Sequence, residues 1–368
     1  MEFAAKEIYH GAQRAPGESL PMTRIGIIGL GFMGRMHYDT WAKIPEAQVV
    51  AVCDADPRRA AGDLSGGWGN VAGATTQRLP MDRIRGTTDP AALLAMPEVD
   101  IIDICLPTPA HVEMVIAALA AGKHVLCEKP MARSSAEARQ IAAAATRARG
   151  MFMPAMCLRF WPEWEWLKQA IVENRYGRLR SLAIRRLGTM PAGWFSNGKL
   201  SGGAILDLHI HDTDFVYYLL GRPAAVFSRG HPGPSGEIDH INTLYLYGDS
   251  TSDHPTISAE GSWAMDAGWP FSMRYTANFE HASADYDSSR SPALLLYAGG
   301  KKEQIASSAE DGYAGELRYF VDCVSTGIKP DRVTAFDAVA GLEIVEAEKK
   351  SVETGEVVIL TGGGDDSG

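Results

Sequence analysis

Arg24-Ile-Gly-Ile-Ile28, Gly29-Leu-Gly-Phe-Met-Gly34 and Val49-Val-Ala-Val-Cys53-Asp54 decide the fold of this chain. The first run is apolar and short, as a buried strand requires. Three glycines spaced Gly-x-Gly-x-x-Gly follow at once, then a helical stretch over 32–43, then a second apolar strand ending in an acid. That order is the opening βαβ unit of a dinucleotide-binding sheet. Gly29 allows the tight turn, Gly31 lets the backbone approach a pyrophosphate, and Gly34 lets helix and strand pack closely. Phe32 and Met33 fall in the first helical turn, whose free N–H groups and positive dipole end suit phosphates. Asp54 lies about twenty residues past the last glycine, where it accepts ribose hydroxyls and opposes a 2′-phosphate. This favours NAD over NADP, although Arg58 and Arg59 close behind pull the other way.

Outward from that unit, residues 62–85 lapse into Gly, Thr, Pro and scattered charge and read as a long surface loop. A short helix over 91–96 follows, then a near-continuous apolar run over 100–106, as expected of a central parallel strand. It ends in Pro107-Thr-Pro-Ala-His111, a rigid turn that opens an Ala-rich helix, and Pro107, Thr108 and His111 are candidate nucleotide contacts. The next strand ends in Glu128-Lys-Pro130. In open parallel sheets ligands bind at the carboxyl ends of strands, so Glu128 and Lys129 join the candidate site. An ammonium there, desolvated and beside a cationic ring, is disposed to give up its proton. A surface lysine in a salt bridge is the plain alternative.

The chain of 368 residues exceeds one ordinary domain, and its net charge of −10 argues against a nucleic-acid partner. No apolar run reaches membrane-spanning length. The five cysteines are widely spaced without a Cys-x-x-Cys pair, so neither a zinc cage nor a disulfide framework is indicated. Residues 1–22 read as a flexible tail without the apolar core of a secretory signal, and a cytoplasmic location is expected. Residues 361–368 are glycine-rich and read as a disordered end.

With Gly29–Gly34 followed by His37, Pro107-Thr-Pro-Ala-His111 and Glu128-Lys-Pro130, the chain resembles the glucose-fructose oxidoreductase and inositol dehydrogenase (Gfo/Idh/MocA) family. Ala110 stands where that family often has Asn. The resemblance implies that Lys129 is the catalytic lysine. It also implies an α/β Rossmann domain over 23–150, and over 151–360 an α+β domain with an open, mostly antiparallel sheet. That second domain would bind substrate and form the interface of a homodimer or homotetramer.

In the second half, Arg159 and Trp161 occupy the place where the family has an Arg-Phe-like pair beside substrate. An aromatic ring can stack on a sugar face, which makes Trp161 and Trp194 site candidates and the other tryptophans of this half core. Ser201-Gly-Gly-Ala-Ile-Leu-Asp207 continues as Leu-His-Ile-His211-Asp-Thr-Asp214. Read as one helix at about 100° per residue, Asp207, His211, Asp214 and Tyr218 share an arc of roughly 60°. Asp207 is then placed to hold His211 and favour its protonated form. The family carries the same Asp-x-x-x-His pair, so both residues carry over as catalytic and substrate-binding. His209 points elsewhere by spacing. Asp207, His209, His211, Asp212 and Asp214 would also suit a metal, but the apolar period is helical and no metal is expected.

The expectation is an NAD(P)-dependent dehydrogenase that oxidises a secondary hydroxyl of a sugar, polyol, inositol or glycoside. A relative that retains its NAD and cleaves glycosides or exchanges hydride between sugars is the alternative. A non-catalytic sugar sensor is the third reading.

Overall fold

The computed structural model describes residues 22–65, 75–248, 254–308 and 310–360. Both expected tails therefore lie outside the described residues, apart from Met22. The chain divides into two compact units, Met1–Pro162 with Ala309–Val339, and Glu163–Ser308 with Ala340–Gly368.

The first unit contains β1 (Thr23–Ile28), α1 (Phe32–Trp41), β2 (Ala47–Cys53), α2 (Pro57–Ala60), β3 (Arg85–Thr87) and α3 (Pro90–Leu94). It continues through β4 (Ile101–Ile104), α4 (His111–Ala120), β5 (His124–Glu128), α5 (Ser135–Arg147) and β6 (Phe152–Ala155). The six strands form one sheet in the order β3-β2-β1-β4-β5-β6, and every pair is parallel. Strand order reverses between β1 and β4, so the loops after these strands open a crevice at the carboxyl edge. Ile25, Ile27, Ile101, Ile102, Val125 and Leu126 are wholly buried, each contributing about 1.5–3 kcal/mol of apolar burial. Ser134 caps α5, its Oγ accepting from Glu137 N at 3.2 Å, while Glu137 reaches back to Arg133 N rather than to the cap itself. Because β6 pairs with β5, the compact units divide the chain elsewhere than the change expected near Gly150.

The second unit opens with α6 (Pro162–Val172), β7 (Leu179–Leu187), α7 (Gly198–Ser201), α8 (Gly203–Asp207) and α9 (Ile210–Leu220). Strands β8 (Ala225–Pro232), β9 (Ile238–Leu246), β10 (Thr256–Ser262), β11 (Ser272–Phe279), β12 (Ala282–Asp287), β13 (Leu294–Ala298) and β14 (Lys301–Ile305) follow. The chain then returns to the first unit with α10 (Gly312–Thr326), and ends in α11 (Ala335–Thr354) and β15 (Val358–Ile359). The nine-stranded sheet runs β14-β13-β12-β11-β7-β10-β9-β8-β15. Its β7–β10 pair is parallel and the remaining pairs antiparallel, which matches the expected class. Trp164 is the aromatic centre of this core, edge-on to Phe215 at 4.8 Å and to Tyr275 at 5.2 Å.

One expected helix is two. The reading of 207–220 as continuous fails at Leu208 and His209, where His209 N bonds back to Ala204 O and His211 N to Leu208 O. The even 100° phasing across Asp207 and His211 is therefore interrupted.

The glycine turn yields a sharp test. A Cβ on Gly34 would sit 1.9 Å from Gly29 O, a backbone atom, whereas one on Gly31 meets nothing within 4 Å. Gly34→Ala is expected to destabilise the fold by at least about 1–3 kcal/mol, and Gly31→Ala to leave the thermal midpoint unchanged. Equal midpoints for the two variants would contradict this packing.

Candidate active site

The nucleotide edge is built by the first β-turn-α passage. Gly29 takes φ of +94°, a conformation natural to glycine, and its missing Cβ leaves room for Cys105 O. Gly31 caps α1 with no side-chain bond to the first turn, so that turn's N–H groups keep their capacity for an anion. Phe32 and Met33 are half-buried beside it. Asp54 is 5% exposed and serves the loop first: Oδ2 accepts from Leu30 N at 2.7 Å and Oδ1 from Asp56 N at 2.8 Å. Arg59 Nη2 lies 2.9 Å from the same carboxylate. Arg58 instead points to Asp56 and is exposed. The arginine at Asp54 is thus Arg59, not Arg58, and its charge offsets part of the repulsion Asp54 would offer a 2′-phosphate. An open Gly31 cradle, an uncapped helix start and a seated acid fit a dinucleotide.

Across the switch point, Pro107 is exposed and Thr108 buried in the turn after β4. His111, expected at the nucleotide, is 1% exposed, with each ring nitrogen close to a protein carbonyl, to one of which the neutral ring donates its single N–H. Nδ1 lies 2.9 Å from Pro130 O and Nε2 2.8 Å from Leu106 O. Its place is that of a brace between the loops after β4 and β5. Burial draws its pKa below the ordinary 6.5, and the two carbonyls only partly restore it. Lys129 stands half-buried in the braced turn, its own N–H donating to Glu128 Oε2 at 3.0 Å.

Beneath Lys129 lies a sealed set of charges. Asp103, in the middle of apolar β4, accepts from Trp41 Nε1 at 2.7 Å and contacts His37 Nδ1 at 2.9 Å. The other ring nitrogen, His37 Nε2, lies 3.0 Å from Glu128 Oε1. Burial opposes charge on His37, but Asp103 and Cys105 outweigh it and hold its pKa well above 6.5. Among the described residues, His37, Asp103 and Cys105 are the three whose donor atoms could converge on a metal ion. Here the imidazole, the carboxylate and the indole N–H satisfy one another. An acid within an Ile-Ile-Asp-Ile strand was the available signal for this cluster. The third carboxyl, Glu316 on α10, had no such signal.

Arg159, expected beside substrate, is 1% exposed; its Nη1 donates to Arg332 O at 2.7 Å and lies 3.5 Å from Asp337. It ties the segment after β6 to the connection between α10 and α11. Trp161 is half-buried, edge-on to Tyr313 at 5.7 Å.

In the second unit Asp207 is buried and His211 half-buried, one on each side of the helix break. Trp194 is half-buried against Phe195 at 4.2 Å. His209 is fully buried, its ring filling the space left by Gly261, with Nε2 3.4 Å from Tyr245 Oη and 3.6 Å from Glu348. Asp212 takes a buried two-pronged pair from Arg186, at 2.9 Å to Nη2 and 3.1 Å to Nε. These contacts fasten the α8–α9 corner to the sheet and to α11. His209, Asp212 and Arg186 are thereby committed to structure.

The profile described as the oxidoreductase family with an NAD-binding Rossmann fold matches residues 23–156, and the GFO/IDH/MocA C-terminal domain matches 164–284. The chain belongs to this oxidoreductase family. It is an NAD-binding enzyme acting on CH–OH donors. It is 28% identical to inositol 2-dehydrogenase 2 of Saccharopolyspora erythraea over 90% of this chain and 93% of the relative. It is 30% identical to an uncharacterized oxidoreductase of Bacillus subtilis, over 91% and 96% of the two chains. The structure of levoglucosan dehydrogenase with NADH and levoglucosan superposes at a TM-score of 0.78 with 21% identity, covering 92% of this chain and 100% of that one, a likeness of fold. No described helix is long and apolar enough to cross a membrane.

The buried histidines make stability depend on pH. Burial opposes charge on His209, yet Glu348 outweighs it, so His209, like His37, holds its proton more tightly than the ordinary 6.5. Each contributes stability that is complete below about pH 6.5 and is lost as pH rises through its higher folded-state value. The thermal midpoint is expected to fall from neutral into alkaline solution, and to fall less steeply in His209→Gln. An equal slope in that variant would contradict the charge assigned to His209.

Proposed function

We propose that this enzyme oxidises a secondary hydroxyl of a neutral polyhydroxylated substrate, an inositol, sugar, polyol or glycoside, with NAD as acceptor. The observation that carries the reading is Lys129. It stands half-buried at the carboxyl end of β5, in a turn held by Glu128 and braced by His111. The full-length likeness to an inositol 2-dehydrogenase supports the substrate class. NAD, when bound, supplies the hydride acceptor. Lys129 polarises the hydroxyl oxygen and shares its proton; His211 receives that proton, and Asp207 orients and balances the imidazole. Trp161 and Trp194 are proposed to present ring faces to substrate, and Phe32, Met33, Pro107 and Thr108 to border the nucleotide.

The nine-stranded sheet is the proposed assembly surface. One face carries exposed arginines paired with acids, Arg185 with Glu260 at 2.6 Å and Arg274 with Asp287 at 3.2 Å. Light scattering is expected to give the mass of a homodimer or homotetramer. A monomer at micromolar concentration would remove this part of the proposal.

Formation of reduced nicotinamide, with NAD and NADP tested separately against inositols, aldoses, polyols and glycosides, tests the activity. Steady reduction is expected with NAD in preference to NADP, falling by about 10²–10⁴ in Lys129→Ala. Consumption of a glycoside without net reduction would displace the dehydrogenase reading.

A further inference from the structure

Glu128, the residue before Lys129, also reaches inward to a buried imidazole. One carboxylate oxygen accepts the Lys129 N–H at 3.0 Å; the other lies 3.0 Å from His37 Nε2. His37 is 0% exposed and is held from behind by Asp103, itself 0% exposed and fixed by the indole of Trp41. Four groups surround this imidazole: Asp103 on β4, Cys105 just after it, Glu128 on β5 and Glu316 on α10. Arg332 is the further charge that bears on Glu316.

Glu316 is an anomaly. It is 0% exposed, and neither carboxyl oxygen has a hydrogen-bond partner among the described residues. Burial, and after it the charge of Glu128, keep it protonated well above the usual carboxylate range. Together the cluster holds two carboxylates, one imidazolium and one neutral acid. Such an arrangement is costly inside a protein, and it abuts the turn that presents Lys129.

We infer that His37 is a positioning residue for Lys129, acting through Glu128, whose carboxyl group lies between the imidazole and the Lys129 N–H. This rests on the reading of Lys129 as a catalytic residue. The physical chain is short. Without the His37 ring, Asp103 and Glu128 lose the group that stands between them, and Glu128 keeps only the Lys129 N–H of its two contacts. The turn that presents Lys129 loosens.

The variants that test this are His37→Gln, Glu128→Gln and the double substitution, each made in the full chain and checked for folding by circular dichroism. The first measurement needs no substrate: trace acetylation of Lys129 by acetic anhydride, read by mass spectrometry against the exposed Lys301 of the same molecule. Each single variant is expected to raise relative labelling of Lys129 severalfold, and the double to match the singles, because both act through one carboxylate. In turnover, kcat is expected to fall about ten- to a hundredfold, with KM for NAD little changed. A folded Glu128→Gln that labels Lys129 at the wild-type rate would overturn the inference, whatever the turnover assay gives. Additive effects in the double variant would overturn it equally. Wild-type protein that turns over none of the substrates, yet shows the labelling pattern, would count against the assigned reaction and leave the coupling of His37 to Lys129 standing.

Discussion

A carboxylate in the central strand of a parallel sheet is the constraint around which the first unit is arranged. Asp103 sits among Ile101, Ile102 and Ile104, all fully buried, where an unpaired charge would cost several kcal/mol. The cost is met from α1, which brings Trp41 Nε1 and His37 Nδ1 to the same side chain. The registration of α1 on the sheet is therefore set twice. Gly34 permits its close approach at one end, and a charged pair and an indole N–H lock it a turn or two further on. The same helix opens at Gly31, the proposed nucleotide edge. A single packing solution thus aims the helix N-terminus, buries the imidazolium, and points that imidazolium's free edge at Glu128.

The second unit meets a similar demand with different residues. Arg186 and Asp212 pair inside it, and His209 packs against Tyr245 and Glu348 through the gap left by Gly261. All these contacts converge on the corner between α8 and α9. Helix geometry alone would not hold Asp207 and His211 at a break, because helical bonds are lost there. The buried pairs fix the corner instead, so the polar residues flanking the two candidates form their scaffold. Truncating one partner of such a pair leaves a buried charge uncompensated, a loss of about 3–5 kcal/mol.

What the sequence made legible follows the physics of each feature. The glycine turn, the alternating strands and helices and the terminal acid were readable because each depends on local backbone demands. The Lys129 turn was readable from its place after an apolar strand. Less legible were features created by residues distant in the chain. Asp103 was absorbed into an apolar run, although its charge there was the clue. His111 has the same residue type and position whether it touches a nucleotide or two carbonyls, and only the fold distinguishes them. Arg58 and Arg59 are adjacent, so spacing could not say which would reach Asp54. The break at Leu208 and His209 contradicts a good helical period. It is paid for by the buried contacts of His209, which no local pattern announces.

Coenzyme choice illustrates the same division of labour. Asp54 is usually weighed as a free acceptor for ribose, yet here its oxygens already hold Leu30 N, Asp56 N and Arg59. A carboxylate so occupied is rigid, which favours directional bonds to two neighbouring hydroxyls over accommodation of a bulkier anion. It is also partly neutralised, which weakens the purely electrostatic rejection of a 2′-phosphate. Geometry and charge therefore act in opposite senses at one residue. Directional bonds to ribose strengthen with desolvation, whereas the long-range repulsion is screened by salt within about 10 Å at 0.1 M ionic strength. On the proposal that Asp54 meets the ribose, a preference for NAD rests on the seating of Asp54 more than on its charge, and that seating belongs to the loop made by Leu30 and Asp56.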